Sequence, residues 1–182
     1  MNLPNFLALI RIILAPILFV LVTNINKINI DYNWHISWLN YYAALIFTIA
    51  SITDFFDGYI ARMWNQKTLL GEILDPLADK MLTLAAFLGL MLLGRVEAIL
   101  VYFILVREFF ITGLRVMIVA DGLKVAASMS GKIKTTFQML AIGFLLMDWW
   151  GANYLFYLCF FFTIYSGIEY VISYARVLKC SR

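Results

Sequence analysis

Six apolar segments follow one another along the chain, at about 5–25, 36–61, 70–94, 96–120, 132–149 and 152–175. Each has about the length an α-helix needs to cross the hydrocarbon core of a bilayer. Six crossings at about 20 residues each take about 120 residues and leave about 62 for turns and ends. The composition agrees: of 182 residues, 64% are apolar and 14% charged, against about 45–50% and about 25% in ordinary globular domains. A domain this small has too much surface for its volume to bury that much apolar material in water. The mean hydropathy is +0.89. The expected fold is all-α: a polytopic integral membrane protein with six transmembrane helices, in one domain spanning 1–182.

Other classes fall away on the same grounds. Disorder needs low hydrophobicity and high charge. Two cysteines alone, Cys159 inside an apolar run and Cys180 in the basic tail, exclude a disulfide scaffold. A dispersed net charge of +3 does not point to nucleic acid. The first segment reads as a retained span, because it lacks a basic start and Arg11 interrupts it. Asn24–Asn33 reads as a polar loop, Trp64–Thr68 as a short turn and Gly94–Arg95 as a tight connection. A longer connection runs from Asp121 to Lys134 and contains Gly122 and Gly131.

Topology follows from where Lys and Arg fall. With the N-terminus inside, the inner loops hold Arg62, Lys67, Lys124, Lys132 and Lys134, and the tail adds Arg176, Lys179 and Arg182. The outer loops hold only Lys27 and Arg95. Both termini are therefore expected in the cytoplasm. Trp34, Trp38, Trp149 and Trp150 then fall at the outer interface, where aromatic rings anchor helices.

Chemistry concentrates between Asp54 and Asp79. Four carboxylates lie in or beside apolar helices, where ionised groups are costly and usually functional. Asp54 and Asp57 are three apart, and Asp75 and Asp79 four apart, so each pair shares a helix face. Gly58 and Ala61 fall in the arc of Asp54, and Gly71 precedes Asp75 by four, leaving a notch beside the acids. Four such groups brought together would repel unless cations lay between them, and oxygen-only ligands suit Mg²⁺ or Mn²⁺. Mg²⁺ commonly shares its coordination with substrate phosphates, and Arg62 offers a fork matched to phosphate. The pattern fits phosphoryl or phosphatidyl transfer.

These residues resemble a known family. Asp54-x2-Asp57-Gly58-x2-Ala61-Arg62-x8-Gly71-x3-Asp75-x3-Asp79, eight fixed residues over 26 positions, matches the signature of the CDP-alcohol phosphotransferases. The resemblance implies a six-helix membrane enzyme, usually a homodimer, that displaces CMP from a CDP-linked lipid or alcohol. It further implies that Asp54, Asp57, Asp75 and Asp79 bind a pair of divalent ions. By the same resemblance Gly58, Ala61, Arg62, Thr68 and Gly71 receive the CDP group, and Asp79 accepts a proton. Asp75–Lys80, Arg107–Arg115, Gly131–Thr135 with Gln138, and Ser166–Tyr170 resemble the bacterial members that use sn-glycerol 3-phosphate as acceptor. With Asn2–Asn5 and Arg11, that likeness covers nearly the whole chain, departing at Ala8, where the family often carries Thr. It implies CDP-diacylglycerol as the donor lipid and a site facing the cytoplasm from a bacterial inner membrane.

An acceptor phosphate needs cations, since the carboxylates repel it. The candidates are Arg107, Arg115, Lys132 and Lys134. Arg107 beside Glu108 also fits a pair that holds two helices together. Lys132 and Lys134, two apart, do not share a helix face. Glu169 fits a helix-packing partner or a neighbour of the site, while His35 and Asp148 read as loop residues. Three rival functions share parts of this pattern: the same family with inositol phosphate, serine or phosphatidylglycerol as acceptor, a membrane prenyltransferase, and a divalent-cation transporter. The prenyltransferase leaves Gly58-x2-Ala61-Arg62 unexplained, and a transporter wants its acids near the midplane rather than beside Arg62–Lys67.

The charge asymmetry has a direct test. Single cysteines placed at Met63 and Ser130 should react with an impermeant thiol reagent only from the cytoplasmic side, and one at Asn29 only from outside. The reverse labelling pattern would overturn the topology.

Overall fold

A computed structural model describes residues 3–63, 69–120 and 129–180, with side chains at 6–53, 77–117 and 129–176. These residues form seven helices: α1 (Leu3–Thr23), α2 (Ile25–Tyr32), α3 (Ile36–Met63), α4 (Leu69–Leu92), α5 (Ala98–Ala120), α6 (Met129–Met147) and α7 (Ala152–Cys180). All but α2 match the six apolar segments. By length and composition α1, α3 and α7 can cross a membrane, through Phe6–Thr23, Ile36–Thr53 and Ala152–Arg176. Helices α4 and α5 carry more charge than those spans allow, with Glu72, Asp75, Asp79 and Lys80 on α4 and Arg107, Glu108 and Arg115 on α5.

The polar stretch expected as a loop at Asn24–Asn33 is mostly the short helix α2. Thr23 donates its hydroxyl to the Phe19 carbonyl at 2.9 Å, and Asn24 its amide to that of Val20 at 2.8 Å, closing the end of α1. Ile25 then continues the buried seam of α1 into the new helix. Asn33 ends α2 in the left-handed conformation, φ 55°, which Asn tolerates well.

The described contacts divide the chain into two compact units, Met1–Val96 with Ile142–Trp150, and Glu97–Ala141 with Gly151–Arg182. In the first, α1 packs against α3 and α4. Ala8, Arg11, Ala15, Leu18 and Val22 are buried at alternating steps of three and four, the spacing of one helix stripe. Phe6, Leu9, Ile13, Ile17 and Val20 are exposed on the rest of the helix, an apolar surface that suits lipid rather than water. Helix α4 is buried at Ala78, Leu82, Thr83, Ala86, Phe87 and Leu90. At Gly89 the backbones come close: a Cβ there would lie 2.8 Å from Val22 Cγ1 and 3.1 Å from Val22 Cβ. Small residues at such crossings let helices approach closely where no hydrophobic force drives them together.

The ends of α4 and α6 are built alike. Gly94, φ 72°, closes α4 with bonds from Gly94 N to Met91 O and from Arg95 N to Leu90 O, a Schellman pair. Asp148, φ 57°, occupies the same place after α6, with Asp148 N to Leu145 O and Trp149 N to Phe144 O. Arg95 then joins the two ends. It donates to the carbonyls of Leu145 (3.0 Å) and Leu146 (2.9 Å) and to Asn40 Oδ1 (2.9 Å), with Asp148 at 3.7 Å. Burial pulls its pKa down and the Asp148 carboxylate pushes it back up. In the second unit α5 packs on α7. Phe156, Cys159, Thr163, Ser166 and Tyr170 form the buried stripe of α7, and Phe137 of α6 stacks on Phe162 at 4.9 Å between ring centres.

Gly89→Ala should push α1 from α4 and lower stability by about 1–3 kcal/mol, the usual cost of overpacking. Thermal unfolding in detergent reads the loss, and adding Val22→Ala should recover most of it. Full stability in Gly89→Ala alone would contradict the close crossing.

Candidate active site

Asp54, Asp57, Gly58, Ala61 and Arg62 lie on α3, and Gly71, Asp75 and Asp79 on α4. Their side chains, Asp79 excepted, lie outside those described, and Thr68 lies outside the described residues altogether. The backbone nonetheless sets their register. Asp57 stands six residues before Met63, the end of α3, and Asp75 six residues after Leu69, the start of α4. Asp54 stands nine before and Asp79 ten after the same points. At 1.5 Å per residue the inner pair sits about 9 Å, and the outer pair about 14–15 Å, from the facing helix ends. The two helices pack against each other and are joined through only five residues, 64–68, a connection length typical of antiparallel neighbours. The four acids therefore stand at matched heights on adjacent helices. Asp79 is half-buried, and Thr83, one turn on, donates its hydroxyl to the Asp79 carbonyl at 3.2 Å.

This donor set suits a hard divalent ion. It is made of carboxylates alone, and oxygen donors in such numbers match Mg²⁺ or Mn²⁺ rather than a softer metal. Among the residues with described side chains no group of three or more His, Cys, Asp or Glu stands close enough to hold a metal. Only one of the four aspartates belongs to that set.

The four basic candidates lie in the second unit, and their environments differ. Arg107 donates from Nη1 to Glu108 Oε1 at 3.0 Å and from Nη2 to Ser166 Oγ at 2.9 Å. Lys134, 4% exposed, donates to the same Glu108 oxygen. One carboxylate thus serves two cations, on α5 and α6, and Ser166 ties Arg107 to α7. Arg115 is exposed, its guanidinium carbon 5.9 Å from the centre of the Tyr170 ring. Lys132 is exposed. The pair two apart in sequence therefore divides, with Lys134 inward and Lys132 outward. Glu169 accepts the hydroxyl of Ser130, a packing bond between α7 and α6.

Residue type alone assigns no contact to Ser166 or to Arg95, though both fall in stretches the sequence singles out. Thr163 and Ser166, three apart in an apolar run, were the available sign of a polar seam on α7. Nothing local marked Arg95, whose partners are 50 or more residues away.

A family model for CDP-alcohol phosphatidyltransferase matches residues 1–165. The chain belongs to the CDP-alcohol phosphatidyltransferase family. Among its relatives, a Bacillus subtilis protein is 37% identical, over 99% of this chain and 98% of its own length. One from Rickettsia felis is 35% identical and one from Escherichia coli K12 is 36% identical, each over 93% of both chains. All three are named CDP-diacylglycerol–glycerol-3-phosphate 3-phosphatidyltransferase. The family's match begins at residue 1 and takes in α3, α4 and every acid of the candidate site.

Glu108→Ala should strip Arg107 and Lys134 of their shared carboxylate. Removing one partner of a buried ion pair costs about 3–5 kcal/mol, whereas Lys132→Ala, at an exposed position, should stay within about 0.5 kcal/mol. Thermal unfolding of the purified variants tests the contrast. Equal stability for the two would mean that the Glu108 cluster does not hold the helices together.

Proposed function

We propose that the chain transfers a phosphatidyl group from CDP-diacylglycerol to sn-glycerol 3-phosphate, giving phosphatidylglycerophosphate and CMP. The observation that carries this reading is the set of four aspartates at matched heights on α3 and α4. The names of relatives that match over nearly the full chain supply the substrates. Asp54, Asp57, Asp75 and Asp79 would hold the ions, Mg²⁺ or Mn²⁺ and two per site. Bound there, the ions neutralise charge on the diphosphate of the donor lipid.

The protein's own groups do the rest. Gly58, Ala61 and Gly71 leave room for the nucleotide, and Arg62 and Thr68 hold its phosphates and ribose. Asp79 takes the proton of the primary hydroxyl of glycerol 3-phosphate, whose oxygen attacks the β-phosphorus as CMP departs. Arg107, Arg115, Lys132 and Lys134 hold the acceptor's own phosphate, which takes no part in the bond change. A lipid donor and a soluble acceptor require a site open to both the bilayer and the cytoplasm.

The reading extends to the membrane. Helices α1 and α3–α7 serve as six spans in a bacterial inner membrane, with both termini cytoplasmic and the chain working as a homodimer. The family model runs through both compact units, which supports one domain over 1–182.

Purified protein with CDP-diacylglycerol and a mixture of glycerol 3-phosphate, inositol phosphate, serine and phosphatidylglycerol should yield phosphatidylglycerophosphate by mass spectrometry. Chelation of divalent ions should stop turnover, and Mg²⁺ or Mn²⁺ should restore it. Asp79→Asn should lose at least the 10²–10⁴-fold a general base contributes. Product formed on a different acceptor would refute the choice of glycerol 3-phosphate, and near-normal turnover in Asp79→Asn would remove that residue from the chemistry.

A further inference from the structure

Arg11 is wholly buried, in the stripe by which α1 packs in the first unit. A guanidinium keeps its proton in a protein, so a buried one needs negative charge close by. Two of the unit's acids, Asp31 on α2 and Asp148 after α6, are exposed and stand beyond the ends of α1 and α6. Every other acid of the unit, Asp54, Asp57, Glu72, Asp75 and Asp79, lies on α3 or α4.

The crossing of α1 with α4 fixes which part of α4 lies opposite. Val22 meets the α4 backbone at Gly89, and each stands within three residues of the end of its helix. Antiparallel helices meeting there would overlap by little more than a turn. Yet α1 is buried back to Ala8 and α4 back to Ala78, and no other described pair of helices packs so extensively. The two therefore run parallel. Arg11 stands eleven residues before Val22, and Ala78 eleven before Gly89. Eleven residues make about three turns and about 16–17 Å in either helix, so Arg11 faces Ala78 as Val22 faces Gly89. Ala78, itself buried, again puts a small residue at the crossing. Asp75 and Asp79 lie about 60° and about 100° round α4 from Ala78, on the same side, and within a turn of it in height. The buried cation thus meets α4 at the level of its acid pair.

We propose that Arg11 is a positioning residue for the acid cluster: from α1 its guanidinium bonds the carboxylate flank formed by Asp75 and Asp79 and fixes the oxygens that this flank presents to the ions. This rests on the reading of the four aspartates as ligands of divalent ions. It brings α1 into the site and adds a residue 43 positions before the first aspartate of the motif. A planar fork of donors suits the task, because it can hold a carboxylate in one orientation where a lysine supplies only charge.

The test uses Arg11→Met and Arg11→Lys in the full-length protein in detergent–lipid micelles. Mn²⁺ binding without substrate is measured from the electron paramagnetic resonance of the free ion. In Arg11→Met the dissociation constant should rise by about 10–100-fold, the usual effect of removing the partner of a ligating group. Arg11→Lys should fall between Arg11→Met and the wild type. The rise in melting temperature on adding Mg²⁺ should shrink in the same order, and at saturating metal the KM for glycerol 3-phosphate should be unchanged. A role in packing alone predicts a lower melting temperature with Mn²⁺ affinity as in the wild type, and that result in either variant would overturn the proposal. Tighter Mn²⁺ binding in Arg11→Met would also overturn it, since Arg11 would then merely compete with the ions. Failure of both variants to fold would assign Arg11 to the fold instead. Wild-type protein that binds no Mn²⁺ would overturn the underlying reading of the aspartates, a result distinct from variants that bind the ion as the wild type does.

Discussion

Hydrocarbon offers nothing to an ionised group or an unbonded amide, and that constraint orders the rest of this molecule. A charge at the centre of a span costs about 2.5–3.5 kcal/mol on insertion scales, so charged side chains must turn inward, pair, or reach the membrane surface. Arg11 lies wholly inside the stripe by which α1 packs. Lys134 and Arg107 share one carboxylate on α5. Lys132 and Arg115 are both exposed; Lys132 stands in the first turn of α6 and Arg115 five residues before the end of α5, where long side chains can carry their charge toward water. The apolar residues do the reverse, and α1 presents isoleucine, leucine, valine and phenylalanine outward.

This inversion decides what could be read from the sequence. Six long apolar runs correspond to α1 and α3–α7 within a few residues, since long apolar runs without turn residues favour helix. The pairing of the aspartates was equally open, since steps of three and four share a face in any helix. The matched heights of the two pairs emerge only once the ends of α3 and α4 are known. The hidden parts rest on contacts distant in sequence or on backbone detail. Helix α2 exists because Thr23 and Asn24 bond back to the last carbonyls of α1 and Ile25 is buried, while its composition is that of a loop. Asp148 takes a left-handed position that glycine fills in the twin motif at Gly94. That Lys134 turns inward and Lys132 outward depends on Glu108, 26 residues away from Lys134.

Helix α4 shows how a chain can keep four acids on two adjoining helices and still fold. Asp75 and Asp79 occupy its first half and carry charge there. Its second half bears the opposite character: Ala86, Phe87 and Leu90 are buried there, and Gly89 admits Val22 to within contact of the backbone. Beyond that crossing, Gly94 ends the helix with both Schellman bonds made, and Arg95 ties the end to Asn40 on α3 and to the carbonyls of α6. Buried packing on α4 runs from Ala78 to Leu90, and the anchoring turn at Gly94–Arg95 lies just beyond it. A rigid anchor more than a turn from the acids can hold their helix in register without contributing an atom to the site.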